Sequence, residues 1–418
     1  MTEVVNNSIN LKSNLNATAL KVSDKDKQLA MEVLNSTPLP TTRVEAWKYT
    51  RVAKLGKIDF TNNKANLSDV SKYLIDDTKC TFVFVNGHFS CELSSQEVPS
   101  GISMQVLSVD NTILDDSTIN LKGEVFNAMN VGYLHDGVQI EIAANSIVDT
   151  PIQVIHILEG DNIISNFKMT VKAGKSSQAS IIQGFFSASG ENNFCNTTSE
   201  IDVAENAVLR IDKVQYESEK SYHINTEQVQ QDKNSNFGIN TLTLNGGFVR
   251  NNLHIDVNGQ NCETHLNGAY LLKNKQHVDN HSIVDHKVPN CESHELYKGV
   301  IDDKSTAVFN GKVYVRPDAQ KINAFQSNGN VLLSDSATIN SKPELEIYAD
   351  DVKCSHGSTT GQLDEEAVFY LRARGLSEKS ARHLMVSAFI GDVLDKITNE
   401  NVKTFTQQIL KERFGWDF

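Results

Sequence analysis

Long apolar runs are missing from this 418-residue chain. A membrane helix needs about 18 or more apolar residues in succession, and the best stretch, Leu384 to Leu394, is broken by Ser387 and Asp392. The opening Met1-Thr2-Glu3-Val4-Val5-Asn6-Asn7-Ser8 has neither the basic nor the apolar segment of a secretory signal, so the expected compartment is the cytosol. Basic charge is short as well. Against 52 Asp and Glu stand 39 Lys and Arg, a formal net charge of −13; neutralising a phosphate backbone needs the opposite excess, which argues against nucleic acid as a general partner. The six cysteines (Cys80, Cys91, Cys195, Cys262, Cys291, Cys354) include no C-x-x-C pair. Neither a disulfide framework nor a self-contained zinc module is written locally, and most of the thiols are expected to be buried and inert. G-x-x-x-x-G-K-[ST], G-x-S-x-G and H-E-x-x-H are all absent, so no P-loop, nucleophile elbow or helical zinc motif is present. Asp302-Asp303 and Asp350-Asp351 are adjacent carboxylates, but neighbours on a strand face opposite ways and form no acid/base pair.

What is present divides into three regions: an N-terminal helical domain (1–75), a β core (76–357) and a C-terminal helical domain (358–418). Near the start, Ser23 is placed to cap a helix whose first turn carries Asp24 and Asp26 and whose apolar side is Leu29, Ala30, Val33 and Leu34. Pro38 and Pro40 end it. In Thr42-Arg43-Val44-Glu45-Ala46-Trp47-Lys48-Tyr49-Thr50 a tryptophan sits among charges, an anchor that docks the helices on the body by packing. From Cys80 to Asp351 short β-branched and aromatic runs such as Phe82-Val83-Phe84-Val85 alternate with Gly and Asn turns, and helical patterns nearly vanish.

Leu244-Asn245-Gly246, Leu266-Asn267-Gly268 and Phe309-Asn310-Gly311 read as corners of a repeat, one or two coils apart. That pattern suits a β-solenoid, whose coils bury one another's apolar sides, better than a sandwich with irregular hairpins. After Gly357 helices return. Asp364, Glu365 and Glu366 load one first turn, and Gly375 marks its end. Ser377 and Glu378 open a second helix with Ala381, Leu384, Met385, Ala388 and Phe389 on one side, and a third runs from about Asn401 to Phe414, before Gly415-Trp416. These helices either cap the open end of the stack or form a docking platform.

The strongest chemical signal is Cys354-Ser355-His356. On an extended segment, residues two apart share a face, so sulfur and imidazole point the same way. Thiolate with imidazole suits zinc, copper or an iron–sulfur species, yet two ligands are half a site and the rest must come from elsewhere. A cysteine beside a histidine is equally an ordinary packing pair. His254, His265, His277, His281, His286 and His294 cluster with Cys262 and Cys291; coils stacked one period apart could bring some of them to a metal, though corner packing explains them as well. Of that group Cys291 with His294 is the best pair.

Longer collinear pieces carry more information. They are the Thr42–Thr50 stretch; Cys291-Glu292-Ser293-His294-Glu295-Leu296-Tyr297-Lys298-Gly299-Val300; Val308-Phe309-Asn310-Gly311-Lys312-Val313-Tyr314-Val315-Arg316-Pro317; and Lys342 through Cys354-Ser355-His356-Gly357 to Phe369-Tyr370-Leu371-Arg372-Ala373-Arg374-Gly375. In their order the chain resembles the SufD branch of the SufB/SufD family of the SUF iron–sulfur cluster assembly machinery. The resemblance implies a mainly β fold, a right-handed parallel β-helix flanked by N-terminal and C-terminal helical domains. It also implies a non-enzymatic subunit that pairs with SufB and binds the SufC ATPase through its C-terminal helices. Cys354 and His356 fall on the family's cysteine and histidine, which supply ligands to iron or a nascent cluster at the SufB–SufD interface. The cluster would be transient and shared, with none expected in the isolated chain, and a homodimer is a possible form without SufB. Two other classes stay open, a β-helix enzyme acting on polysaccharide and an autonomous metal-binding protein built on the histidine group.

Overall fold

Ten-residue strands set the architecture. In a computed structural model that describes residues 20, 22–76, 78–110, 114 and 117–415, the middle of the chain is a parallel β-solenoid of about 8 turns. The Asn-rich residues 1–19 and Trp416 lie outside the described residues. Successive strands alternate between two sheets. Sheet A runs through Gln178–Ser187, Val208–Tyr216, Asn236–Asn245, Glu263–Leu272, Glu292–Ile301 and Asn323–Leu332 to Lys353–Gly361. Sheet B runs through Ile164–Ala173, Phe194–Val203, Tyr222–Gln231, Phe248–Val257, His277–His286 and Thr306–Val315 to Thr338–Ile347. Inward rows such as Ile211, Ile239 and Leu266 from one sheet meet Ile201, Val229 and Ile255 from the other in the main core.

The repeat is longer than the Asn-Gly spacing suggests. Side chains stacked between neighbouring coils are 27 residues apart at Asn267 and Asn240, 28 at Asn240 and Asp212, and 31 at Gln326 and Glu295. Leu244-Asn245-Gly246 does close a strand, with Gly246 at φ 143. Leu266-Asn267-Gly268 and Phe309-Asn310-Gly311, however, lie inside strands. Gly268 is there for space, because a Cβ would stand 2.3 Å from the Tyr297 ring. The real corners are asparagines in the left-handed region, Asn206 (φ 59), Asn234 (φ 58) and Asn261 (φ 60) among them. Asparagine tolerates that conformation better than other residues with a Cβ. Its amide also links coils, Asn261 donating to Asn234 at 3.0 Å and Asn234 to Asn206 at 2.9 Å.

The start of the solenoid is covered. Helix α1 (Asp24–Ser36) begins at Ser23, whose hydroxyl accepts from the Asp26 N–H at 3.2 Å, and packs on α2 (Val125–Gly132). Trp47 is buried against Phe126, ring centroids 5.4 Å apart, with the Arg250 guanidinium 3.9 Å from its ring. Thr50 donates to Asp279, which also pairs with Arg250, so the anchor expected of this stretch reaches strands more than 200 residues away by packing and ion pairing. Cys80–Val85, the first strand of sheet A, carries antiparallel neighbours His88–Phe89 and Ser95–Gln96, and Ile102–Val106 closes sheet B antiparallel to Asp136–Ile142.

The C-terminal helices do not cap the other end. After α3 (Glu365–Ala373), helices α4 (Glu378–Leu394) and α5 (Glu400–Phe414) lie along the outer face of sheet A, where Val386, Ile390, Val393, Val402 and Ile409 cover Leu242, Ala269, Leu271 and Val300. The buried side of α4 matches the expected one in part: Ala381 is buried and Met385 and Phe389 pack against the sheet, but Leu384 is 46% exposed and Ala388 faces solvent. Two apolar rows run along this helix, and the sheet took the Val386–Ile390–Val393 row. No helix among the described residues is long and apolar enough to cross a membrane.

Candidate metal centre at the open end

Cys354 and His356 stand on Lys353–Gly361, the last strand of sheet A, in register with Ala324 and Gln326 of the preceding coil. In that coil Ala324 and Gln326 are buried and the intervening Phe325 is 41% exposed, so the even-numbered row faces the solenoid interior. Alternation puts Cys354, His356 and Ser358 on the same inward row. Ser358 confirms it by meeting Ser341 of sheet B, their hydroxyl oxygens 2.8 Å apart. No strand follows to cover the row. Cys354 is therefore half-buried against the core while His356 is exposed. The expected sharing of one face holds, at a place where a second protein can reach both side chains.

Burial pushes the Cys354 thiol above its ordinary pKa, opposed by the Ala324 backbone. A metal ion has to displace that proton to gain the thiolate. Behind His356 the row is polar. Gln326 donates to Glu295 at 2.6 Å, Ser282 donates to the other Glu295 oxygen, and burial pushes the Glu295 carboxyl up. Next along the strands, Asn328 donates to the Tyr270 hydroxyl at 2.9 Å and Asn330 to Asn328 at 2.8 Å, a network that extends through Ser341 to the open end. The Gln326 carbonyl oxygen, in register with His356, is the one atom of this network left buried without a protein partner among the described residues.

The histidine group does not converge. His265 and His294 stack on the outer face of sheet A, 5.6 Å between centroids, and Phe325 continues the ladder 5.4 Å beyond. Cys291 points inward at a corner beside Cys262, so Cys291 and His294 face opposite sides of one strand and form no site. His277 meets Thr50 at 3.0 Å, His281 meets Asp279 at 2.9 Å and His286 meets Ser293 at 3.0 Å. His277 and His281 share one network through Thr50 and Asp279, and the His286 contact is apart from it. The sequence reading missed a different group, Cys195, Glu217 and His223, whose ligand atoms all lie within 4.8 Å of one another. Cys195 and His223 are direct neighbours on adjacent coils. A coil period of about 28 residues, in place of 22, would have exposed the pair.

Residues 156–389 match the family model for the SUF system FeS cluster assembly SufBD core domain, and residues 10–154 match the SufBD protein N-terminal region. The chain belongs to the SufBD family. An iron–sulfur cluster assembly SufBD family protein of Synechocystis is 33% identical over 89% of this chain and 86% of its own length. The iron–sulfur cluster assembly protein SufD of Escherichia coli is 28% identical over 94% of this chain and 93% of its own. Protein ABCI7, chloroplastic, of Arabidopsis thaliana is 29% identical over 89% and 82%. The SufBD core match spans most of the solenoid and reaches Phe389 on α4, so the open end and its Cys–His row belong to the part the family shares.

Proposed function

We propose that this SufBD protein is a non-enzymatic subunit of a cytoplasmic iron–sulfur assembly complex. It pairs at its open end with a SufB subunit, and Cys354 and His356 supply ligands to iron or a nascent cluster held between the two. The single observation behind this reading is the position of that pair, on the inward row of the last coil, half-buried and exposed respectively. Two ligands on a bare end are completed by a partner's donors, which accounts for a cluster as transient cargo. The two final strands, Thr338–Ile347 and Lys353–Gly361, also offer unpaired edges of the kind that add strands from another chain.

Helices α3 and α4 expose Phe369 at 71%, Tyr370 at 58% and Leu384 at 46%. Grouped aromatic and aliphatic exposure of this kind marks a protein interface, and we assign it to the SufC ATPase. The test is maturation. Co-expressed with SufB and SufC, Cys354→Ser and His356→Ala are expected to abolish cluster formation while the variant complex still assembles. Normal maturation in both variants would refute the site, and loss of co-purification with SufB in the unmodified chain would refute the pairing.

A further inference from the structure

Inside the solenoid, far from its open end, a second group of ligand-type side chains meets. Cys195 on Phe194–Val203 and His223 on Tyr222–Gln231 lie side by side in register, and Glu217 reaches them from the turn between Val208–Tyr216 and Tyr222–Gln231. All three are buried, and His223 Nδ1 and Glu217 Oε2 are 2.7 Å apart. The remaining contacts of His223 are long: Gln215 at 3.4 Å on Nδ1 and Thr197 at 3.4 Å on Nε2. Phe185 closes one side, its ring 4.7 Å from the imidazole, and with Leu158 and Ile163 walls in the sulfur.

We propose that Cys195, Glu217 and His223 form a resident site for one divalent transition ion of the zinc or ferrous class. A buried ion pair alone explains the Glu217–His223 contact. It does not explain a thiol brought within 4.8 Å of both ligand atoms, and among the described residues that sulfur makes no hydrogen bond. The contrast with the neighbouring Lys213–Glu227 pair is instructive. There the ammonium holds Glu227 at 2.6 Å and Asn225 at 3.1 Å, a charge-paired arrangement with no soft donor.

The donor set selects the ion. Thiolate, imidazole and carboxylate suit zinc and its neighbours, whereas magnesium and calcium demand oxygen donors throughout. Three protein ligands leave a fourth position for water. Charge favours occupancy too: a thiolate and a carboxylate neutralise a divalent cation, leaving no net charge in the interior. Binding releases the thiol proton. Burial and the Glu217 carboxylate keep the thiol protonated without metal, so affinity falls as pH falls. Access is short, because Glu217 also lines a surface groove of about 680 Å³ with Tyr73, Phe186, Ser218 and Phe405.

This site is distinct from the cargo site at the open end, and the experiment separates them. The full chain, stripped with chelator, is titrated with cobalt(II) alone. One equivalent is expected to bind, with a thiolate-to-cobalt charge-transfer band that Cys195→Ser abolishes and that the Cys354→Ser/His356→Ala double variant retains. Failure of the unmodified chain to bind one equivalent overturns the proposal, as does a band that survives Cys195→Ser or disappears in the double variant. Should Cys195→Ser not fold, X-ray absorption of the zinc-loaded unmodified chain decides. One sulfur at about 2.3 Å with nitrogen and oxygen at about 2.0–2.2 Å supports the site, and a first shell without sulfur refutes it.

Discussion

The two ends of the solenoid are built to opposite rules. At the start, Cys80–Val85 is buried along its whole length, paired with Ile152–Leu158 on one edge and with antiparallel strands on the other. At the finish, Lys353–Gly361 is exposed at nearly every position and, among the described residues, no strand pairs beyond it. A bare sheet edge is an aggregation hazard that proteins ordinarily cover. The chain holds three helices after its last strand and lays α4 and α5 along the side of sheet A. This end is left open although helical material follows the last strand, and the Cys–His row sits there.

Breaking the buried anchor on sheet B should have the largest effect. Trp47→Ala removes a buried ring, its Phe126 contact and the surface under Arg250, and is expected to cost about 3–5 kcal/mol in urea unfolding. A loss below about 1 kcal/mol would mean that the anchor does not hold the N-terminal segment on sheet B. Matched glycines sharpen the contrast. Gly268→Ala in the middle of the stack drives a methyl into the Tyr297 ring and should cost about 1–3 kcal/mol. Gly357→Ala beside His356 meets nothing within 4 Å and should be neutral or stabilise by about 0.5 kcal/mol. Equal costs at the two positions would contradict the openness of the last coil.

The pH dependence separates covered strands from open ones. Asp212 is buried, accepts from Asn240 at 2.7 Å, and is pushed up by burial from 3.8 to about 6. Its unfolded form ionises first, so the folded state holds the proton longer and stability falls as pH rises from about 4 to about 6. Asp212→Asn should flatten that part of a stability–pH profile, and an unchanged slope would assign it to other groups. A small effect on stability is expected of Cys354→Ser too, under about 1 kcal/mol because the thiol is only half-buried. A larger cost would make Cys354 a core residue and weaken the proposal that it is a ligand.

Much of this was legible in the chain. Ser23 and its acidic first turn mark α1, Gly375 marks the end of α3, and the β-branched runs mark the solenoid strands, because caps and alternation are local properties. The Asn-Gly triplets misled, because glycine serves two purposes: Gly246 makes a turn, whereas Gly268 makes room for a ring on the next coil. Nothing local distinguishes these cases. The same long-range ignorance hid Cys195, Glu217 and His223, whose meeting depends on the coil period, and misplaced part of the buried side of α4, where either of two apolar rows could have met the sheet.

By itself, then, the sequence determined the kind of element at most places, α2 inside the expected β core excepted, and the sharing of a face by Cys354 and His356, since strand pleating follows from backbone geometry alone. Tertiary structure decided which coil comes last, which edges stay bare and which distant side chains meet inside. Those outcomes depend on how one coil stacks on the next, a relation between residues about 30 positions apart that no short stretch of sequence contains.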